Sequence, residues 1–326
     1  MTDAATTAGN TAAPEASPPR ISINLCCYNG EAYLEETLGS IVAQTFTNWE
    51  LVVIDDGSTD GTGGIVQRYQ KSGWPITYHY QKNAGLGAAR NKAIALSRAP
   101  FIAFIDQDDL WLPEKLERQS PLFDDPEVGL VFCDTIFFNN RGDTQRFYGS
   151  ARPHTGYCFN RLLSHYALSL ETVVIRRTAL GDPDNWFDIR FNMIEEADLF
   201  RRIGYRWKLA MVDRPLAKWR VHADSWSWRK GYLMVAETDQ MLARFKKMIP
   251  EFESRYHNEI AILRRNTAKD AAFYLWKQGR GAQGRRLLRP YRTTNRRILL
   301  LYVLSAFPAD WVLGLQRLFR RQIVTP

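Results

Sequence analysis

The stretch Phe101-Ile-Ala-Phe-Ile-Asp106-Gln-Asp108-Asp109 decides the fold, because an apolar run ends abruptly in three carboxylates. The run itself has the length and composition of a fully buried strand. Carboxylates at such spacing repel one another unless a cation lies among them, and Mg²⁺ or Mn²⁺ held by oxygen ligands would in turn bind phosphate groups. The stretch therefore predicts a metal site at the end of a buried strand. A turn that caps a helix near Pro113 accounts for Asp109 but leaves Asp106 unexplained.

The sequence on both sides of this stretch repeats a unit of one short strand and one helix. Strands are predicted at 21–25, 51–54, 76–80, 101–105 and 129–132. Helical periodicity covers 33–44, 61–69, 87–96 and 113–123. This alternation predicts an α/β fold with a doubly wound, mostly parallel sheet. Ligands bind at the carboxyl ends of the strands in such sheets, so the polar residues that follow each strand are candidate site residues.

After Asp134 the pattern is less regular and divides the rest of the chain. Further strands are predicted at 172–175, 209–212 and 217–221, a hairpin at 135–148, a helix that starts at Glu195, and helices from about Lys230 onward. We therefore expect three regions. Residues 1–19, rich in Ala, Thr and Pro, form a disordered leader. Residues 20–228 form one α/β domain, with halves at about 20–134 and 135–228, and residues 229–326 form a basic helical extension.

Composition narrows the class of protein. Of the 326 residues 45% are hydrophobic and 24% are charged, as in soluble globular proteins. The four cysteines form no C-x-x-C pair, so neither a zinc site nor a disulfide framework is expected, and reduced thiols indicate the cytoplasm. The leader has neither the basic nor the apolar segment of a secretory signal. The net charge of +8 is concentrated near the C-terminus. No nucleic-acid-binding motif organises it, so nucleic acid is not an expected partner.

Polar motifs follow four consecutive predicted strands. They are Tyr28-Asn29-Gly30-Glu31, Asp55-Asp56-Gly57-Ser58-Thr59-Asp60, Asn83-Ala84-Gly85-Leu86-Gly87 and Asp106-Gln107-Asp108-Asp109. The second motif lacks the final Glu of a calcium loop, since Gln67 stands there. Arg90 replaces the third glycine of a dinucleotide fingerprint. Leu110 stands where a phosphatase of the haloacid-dehalogenase type needs Thr or Val. These three classes are therefore disfavoured, and Arg90 is left open between pairing with carboxylates, binding a diphosphate and solvation.

Taken in order, these motifs resemble those of family 2 glycosyltransferases with the GT-A fold. The resemblance covers about residues 21–225 and continues through Glu195-Glu196-Ala197-Asp198-Leu199 and Arg220-Val221-His222. It implies an inverting, metal-dependent transferase that takes a sugar from a UDP-, dTDP- or GDP-linked donor. The implied acceptor is a hydroxyl of a glycan or of a lipid-linked molecule in cell-surface polysaccharide synthesis. The implied catalytic domain is 20–228, with a nucleotide-sugar half at about 20–134 and an acceptor half at about 135–228. The implied cofactor is Mg²⁺ or Mn²⁺.

The resemblance also implies a role for particular residues. Those expected to bind the nucleotide sugar are Tyr28, Glu31, Asp55, Asp56, Arg90, Asp106 and Arg220. Those expected to contact the metal are Asp106, Asp108 and His222. The family pattern Glu-Asp is Glu195-Glu196 in this chain, so the base is left open: we favour Glu196, with Asp198 and Glu195 as alternatives. The helix dipole also stabilises acidic residues at a helix N-terminus, which accounts for one of these two glutamates without a catalytic role.

The C-terminal region combines arginines with a short apolar run at 298–307. The arginines are Arg280, Arg285, Arg286, Arg289, Arg292, Arg296 and Arg297 before the run, and Arg317, Arg320 and Arg321 after it. The run is shorter than the about 20 residues that span a bilayer. Two interpretations remain: a helix lying on the cytoplasmic face of the inner membrane, or a helical hairpin packed on protein.

Two other functions compete with sugar transfer. A catalytically silent subunit would keep the fold and bind a sugar nucleotide or glycan without turnover, although the acidic motifs at Asp106, Asp108 and Glu195 argue against it. A nucleotidyltransferase would release pyrophosphate. It usually needs a glycine-rich loop with Lys or Arg after the first strand, and Tyr28-Asn29-Gly30-Glu31 offers none.

Overall fold

A single mixed sheet with helices around it forms most of the molecule. The computed structural model describes residues 18–149, 152–222 and 230–312. Three parts of the sequence lie outside these ranges: most of the predicted leader, the tryptophans Trp226 and Trp228, and the arginines Arg317, Arg320 and Arg321. The strands are β1 Ile21–Cys27, β2 Trp49–Asp55, β3 Ile76–Tyr80, β4 Phe101–Asp106, β5 Leu110–Trp111, β6 Val128–Asn139, β7 Gly142–Arg146, β8 Val174–Arg176 and β9 Lys208–Arg220.

The strand order is β3-β2-β1-β4-β8-β6-β9-β5, with β7 paired to β6. Strands β3, β2, β1 and β4 run parallel, and β6 and β9 share their direction, whereas β5, β7 and β8 run the opposite way. The predicted α/β fold with a mostly parallel sheet is therefore confirmed. Strands β1 and β2 are buried along their whole length. Burial on both faces explains why their sequences are nearly continuous apolar runs.

The helices follow the predicted alternation and then form the C-terminal extension. The described helices are α1 Leu34–Val42, α2 Thr62–Lys71, α3 Leu86–Leu96, α4 Lys115–Gln119, α5 Phe159–Ser164, α6 Glu195–Arg206, α7 Met234–Met248, α8 Phe252–Arg255, α9 His257–Lys277, α10 Gly281–Leu288 and α11 Arg296–Leu304. Short 3-10 turns lie at Ser120–Asp124, Leu170–Thr172, Arg177–Leu180, Pro183–Asn185, Gly231–Leu233 and Arg289–Tyr291. The predicted helical extension is present, and no helix of the described residues is long and apolar enough to cross a membrane.

Three predicted elements differ from the structure. The strands predicted at 209–212 and 217–221 are one strand, β9, which pairs with β6 on both sides of an irregular register near Asp134. Pro215 lies in this irregular part of the pairing, where a strand tolerates a residue that has no N–H to donate. The helix predicted at 113–123 is shortened to α4 and a 3-10 turn. Pro121 is the second residue of that turn, and its ring is incompatible with a continuing α-helix.

The C-terminal helices pack against the sheet domain close to α6. Met241 and Phe245 of α7 share a buried cluster with Phe159 of α5 and Ile194, which directly precedes α6. The Glu237 carboxylate of α7 is buried and accepts hydrogen bonds from the backbone N–H groups of Asn192 and Met193, both at 2.9 Å. The extension therefore fixes the segment from which α6 begins. The expected boundaries between domains stay a prediction.

Candidate active site

The predicted site residues converge on the carboxyl ends of β1, β2 and β4. In the parallel register Cys27 lies beside Asp55, and Cys26 lies beside Asp106. The carboxylates that close two of these strands are therefore held on either side of the end of β1. Such a crevice is where α/β sheets bind ligands.

Tyr28 is the exposed aromatic residue of this crevice. Its side chain follows β1 and is 51% exposed. Its backbone is held by the Gln107 side chain, which accepts from the Tyr28 N–H at 2.9 Å and donates to the Tyr28 carbonyl at 3.2 Å. Gln107 stands between Asp106 and Asp108, so the first and fourth polar motifs are joined directly. The phenol ring is left free to stack on a planar group.

The carboxylates of Glu31 and Asp55 organise the loop before α2. Glu31 accepts from the Gly61 N–H at 3.0 Å. Asp55 is almost fully buried and accepts from the Ser58 N–H at 2.8 Å and from the Tyr78 hydroxyl at 2.7 Å. Both oxygens of Asp55 therefore accept hydrogen bonds from protein donors. Glu31 lies at the surface of the crevice, but one of its oxygens is committed to the start of α2.

Asp56 holds the loop that leads into α3. Its buried carboxylate accepts from the Gln81 side chain at 2.8 Å and from the N–H groups of Ala84 and Gly85, both at 2.9 Å. Gly85 has φ +89°, a conformation that costs glycine nothing. Both oxygens of Asp56 thus bind protein donors, and its contribution to a ligand site is the position of this loop.

Arg90 joins the donor side of the crevice to the acidic start of α6. The guanidinium is 3% exposed, lies 3.0 Å from both Asp106 and Glu195, and is 3.7 Å from Glu196. It also lies over the Phe187 ring, with the guanidinium carbon 5.4 Å from the ring centroid. Of the three interpretations left open by the sequence, pairing with carboxylates is the one observed. Desolvation raises the pKa of Asp106 even though Arg90 acts to lower it.

The three candidate bases lie in very different surroundings. The side chain of Glu196 is 27% exposed, whereas those of Glu195 and Asp198 are 7% and 0% exposed. Asp198 points away from the crevice into an ion-pair cluster, 3.0 Å from Arg202 and 2.7 Å from Arg244. These contacts disfavour Asp198 as the base, and the choice among the three acids stays a prediction.

The ionisation of the two glutamates is strongly perturbed. Desolvation raises the pKa of Glu196 to about 8, although Arg90 acts to lower it and Glu195 adds to the rise. Burial also raises the pKa of Glu195, whose Oε2 has no hydrogen-bond partner within the described residues. A carboxylic acid that titrates near neutral pH and reaches solvent can take up a proton during a reaction. Glu196 meets both conditions.

Asp108 and His222 form a pair at the mouth of the crevice. His222 Nε2 lies 2.8 Å from an Asp108 carboxylate oxygen, and His222 Nδ1 is buried with no partner in the described part of the chain. The imidazole ring packs beside Tyr33, with centroids 5.2 Å apart. Both members of the pair are partly exposed, at 25% for Asp108 and 19% for His222. A carboxylate and an imidazole in contact can share a cation or a proton.

Arg220 fixes the loop that carries this pair. It donates to the Asp108 carbonyl at 2.8 Å and to the Glu36 carboxylate at 2.7 Å. Its guanidinium lies between the rings of Tyr33 and Phe138, at 4.6 Å and 4.4 Å from their centroids. The side chain is only 6% exposed. The structure thus places Arg220 in protein contacts, where it supports Asp108, instead of in an open position facing a diphosphate.

The predicted metal ligands are brought together only in part. Across residues 18–149, 152–222 and 230–312 no group of three His, Cys, Asp or Glu side chains is placed to hold a metal ion. Asp106 pairs with Arg90, which leaves Asp108 and His222 as the two adjacent donors. The structure thus brings two of the three predicted ligands into contact, and the ligand set stays a prediction. Two protein donors still suit Mg²⁺ or Mn²⁺, since such ions commonly take the rest of their ligands from phosphate and water.

Comparison with known proteins identifies the family. The sequence model described as Glycosyl transferase family 2 matches residues 22–182. Residues 22–182 belong to this family. The matched region contains β1 to β4 and their polar motifs, so the resemblance inferred from those motifs is confirmed.

Relatives and solved structures of family 2 type extend the comparison. The Escherichia coli protein named UDP-Glc:alpha-D-GlcNAc-diphosphoundecaprenol beta-1,3-glucosyltransferase WfgD is 32% identical over 162 residues, which is 49% of this chain and 62% of WfgD. The chain spans between 40% and 62% of the length of three curated relatives.

Two solved structures share the fold at low identity. The crystal structure of S. aureus TarS 1-349 in complex with UDP-GlcNAc superposes with a TM-score of 0.61 at 19% identity and covers 86% of this chain and 83% of TarS. The mannosyltransferase PcManGT from Pyrobaculum calidifontis, in complex with GDP-Man and Mn²⁺, has a TM-score of 0.57 at 18% identity and covers 94% of this chain and 88% of PcManGT.

Sequence reasoning missed three residues that support the crevice. Gln107 stands inside the acidic motif, where only carboxylates drew attention. Glu36 lies on α1, far along the chain from its partner Arg220, and no local signal pairs them. Glu171 is a buried acid whose proximity raises the pKa of Asp109, which burial already raises well above its usual range. Asp109 also accepts a hydrogen bond from the Arg220 N–H at 2.9 Å and so contacts the residue that holds the Asp108 loop.

Proposed function

We propose that the chain is an inverting, metal-dependent glycosyltransferase that moves a sugar from a nucleoside-diphosphate sugar to a hydroxyl of a glycan or lipid-linked acceptor. The observation that carries the proposal is the single guanidinium of Arg90 shared by Asp106 on the donor side and by Glu195 and Glu196 on the opposite side. This contact places a partly exposed carboxylate across the crevice from the strand-end motifs. Glycosyl transfer needs a base and a leaving-group site that face each other in this way.

Glu196 is the proposed general base. The acceptor oxygen forms a bond to the anomeric carbon, and the bond to the diphosphate oxygen breaks with its electron pair. Glu196 takes the hydroxyl proton. A single displacement inverts the configuration at the anomeric carbon, and no covalent nucleophile is needed. A pKa of about 8 is well matched to this task, because the group is ionised in part near neutral pH and still basic enough to accept a proton.

The proposed donor site lies over β1, β2 and β4. Tyr28 provides an exposed ring on which the nucleobase can stack, and Glu31 lies at the surface beside it. Asp55 and Asp56 act through the loops that their carboxylates hold. Asp106 and Arg90 join the proposed donor site to Glu196, the proposed general base. The sugar and the diphosphate are therefore expected to lie beside them.

Asp108 and His222 would hold the metal, with Arg220 supporting their loop. Bound there, Mg²⁺ or Mn²⁺ supplies positive charge that stabilises the leaving diphosphate. The fit rests on the donor set: a carboxylate oxygen and an imidazole nitrogen lie 2.8 Å apart, both partly exposed. Asp106 remains a proposed contact to the sugar diphosphate and not to the ion, because Arg90 holds it.

The acceptor class is inferred from the names of relatives. The printed name of WfgD specifies an acceptor linked to diphosphoundecaprenol, and we extend the class of glycan and lipid-linked acceptors to this chain. Synthesis of a cell-surface polysaccharide is the proposed context. The described cysteines are free and buried, in keeping with the proposed cytoplasmic location.

The test is a donor screen with purified protein. UDP-, GDP- and dTDP-sugars are supplied with Mn²⁺ or Mg²⁺, and release of nucleoside diphosphate is measured for the wild type and for Asp108→Ala. Release that requires both metal and Asp108 supports the proposal and names the donor. Binding of a donor with no release by any variant supports a silent binding subunit. Release of pyrophosphate from a sugar phosphate and a nucleoside triphosphate supports a nucleotidyltransferase.

A further inference from the structure

The C-terminal extension carries a stripe of exposed apolar side chains. Leu300, Val303, Phe307 and Trp311 follow one another at spacings of three or four residues and are 56%, 51%, 55% and 72% exposed. Leu300 and Val303 lie on one side of α11, and Phe307 and Trp311 follow beyond the end of that helix at Leu304. Leu299, beside them, is 46% exposed. Exposed apolar groups that form a contiguous patch, unlike isolated ones, mark a surface that binds something apolar.

The other side of α11 is already packed on protein. Ile298 is buried and shares a cluster with Ala272 of α9 and Leu288 of α10, and Leu301 and Tyr302 pack against this cluster. The helix is therefore apolar on both sides, which is typical of a helix that is covered all round. Within the described residues only the inner side is covered. This confirms part of the packed-hairpin interpretation and leaves the outer stripe without an occupant.

The surface around the stripe is strongly basic. Its exposed arginines are Arg286, Arg289, Arg292, Arg296 and Arg297. None of them forms an ion pair with a carboxylate in the part of the chain that the structure describes. From position 280 to the end the sequence has ten arginines and a single acidic residue, Asp310. The charge next to the stripe is therefore not neutralised by acidic neighbours.

We propose that this face docks on a surface of anionic phospholipid, with the apolar stripe in the interfacial layer and the arginines on the headgroups. The combination of an apolar side with flanking arginines and a tryptophan fits such an interface. A second copy of the chain fits poorly, because pairing two stripes brings two arginine clusters together. The proposal goes beyond sugar transfer and does not depend on it, since binding to lipid is measured without a donor.

The experiment is cosedimentation of the full chain with vesicles. Vesicles of phosphatidylglycerol and phosphatidylcholine are compared with vesicles of phosphatidylcholine alone, at low and at high salt. We expect binding to the anionic vesicles, weakened by salt, and little binding to the neutral ones. Each arginine near an anionic surface strengthens binding by about fivefold. The double variant Arg296→Gln with Arg297→Gln is therefore expected to bind about 25-fold more weakly.

Two further variants separate the stripe from charge alone. The variant with Leu300→Ser, Val303→Ser and Phe307→Ser removes exposed apolar surface, leaves the buried Ile298 intact, and is expected to lose vesicle binding. The control is Lys71→Gln with Arg141→Gln, which removes the same charge as the arginine pair from exposed positions of the catalytic region and is expected to bind like the wild type. Far-ultraviolet circular dichroism checks that all variants are folded.

Three outcomes would overturn the proposal. The first is no binding of the wild type to anionic vesicles. The second is equal binding by the wild type and the stripe variant, as expected if another part of this chain covers the stripe. The third is a wild type that is dimeric without lipid and becomes monomeric when the stripe is replaced, measured by sedimentation velocity, which would assign the stripe to a second copy.

Discussion

Replacing Arg90 by methionine should raise the pKa of Glu196 and move the pH dependence of sugar transfer to higher pH. The Arg90 guanidinium lies 3.7 Å from a Glu196 carboxylate oxygen. At this separation two opposite unit charges attract by about 1 kcal/mol at the dielectric constant of water and by about 4 kcal/mol at an effective value of about 20. One pKa unit corresponds to about 1.4 kcal/mol. Loss of Arg90 should therefore raise the pKa of Glu196 by about 1 to 3 units.

Replacing Glu195 by glutamine should act in the opposite direction. The negative charge of Glu195 contributes to the raised pKa of Glu196, and glutamine removes that charge while keeping the size of the side chain. The assay is kcat/KM measured as a function of pH, which reports ionisation in the free enzyme. A base must be ionised, so the rate rises about tenfold per pH unit below its pKa and levels off above it. For the wild type the rise should end near pH 8.

The two variants together make the test decisive. Arg90→Met should shift the rise to higher pH and Glu195→Gln to lower pH. Shifts of the same sign in both variants, or an unchanged profile in both, would refute the pairing described for Arg90. Breaking a buried ion pair costs about 3–5 kcal/mol, so thermal unfolding is measured beside activity. If Arg90→Met does not fold, the sign of the shift in Glu195→Gln still decides.

Three other variants test separate parts of the site. Asp198→Asn should lower the free energy of unfolding by about 3 kcal/mol, because two arginines lose a buried partner. The exposed control Asp184→Asn should leave this free energy unchanged. Urea denaturation measures both variants. Asp108→Ala and His222→Ala should each abolish stimulation of activity by Mn²⁺, and the double variant should lose no more activity than either single variant. Additive losses would mean that the two residues act independently and do not share a metal ion. Asp56→Asn should weaken binding of nucleoside diphosphate by about tenfold, because an amide NH2 replaces one of the two oxygens that accept the backbone N–H groups of Ala84 and Gly85. Calorimetric titration measures this affinity, and an unchanged value would contradict the prediction.

The fold was predictable because its signals are local. Each parallel strand is a short apolar run, and each ends at a polar motif, so periodicity and turn residues locate β1 to β4. The continuity of β9 was not predictable in the same way. Pro215 and the polar residues near it resemble a turn, and only the pairing with β6, through an irregular register, keeps the strand intact. Tertiary pairing there overrides the local signal.

The chemical types at the site were predictable, but their partners were not. The motifs, together with their resemblance to family 2 glycosyltransferases, pointed to Asp108, Glu196 and Arg90 as candidate site residues. The partners of Arg90 are distant in sequence, 16 residues away for Asp106 and 105 for Glu195, so no spacing rule connects them. Asp198 is different, because Arg202 lies four residues further along α6. That spacing on a helix signals an ion pair and could have removed Asp198 from the candidate bases.

The most direct test of the account compares donor binding with turnover in the wild type and in Glu196→Gln. Calorimetry measures the affinity for the donor found in the screen, and release of nucleoside diphosphate with water as acceptor measures turnover. The account predicts that both proteins bind the donor with similar affinity, while Glu196→Gln is slower by a factor on the order of 10² to 10⁴. Equal rates in the two proteins would contradict the assignment of Glu196 as the base.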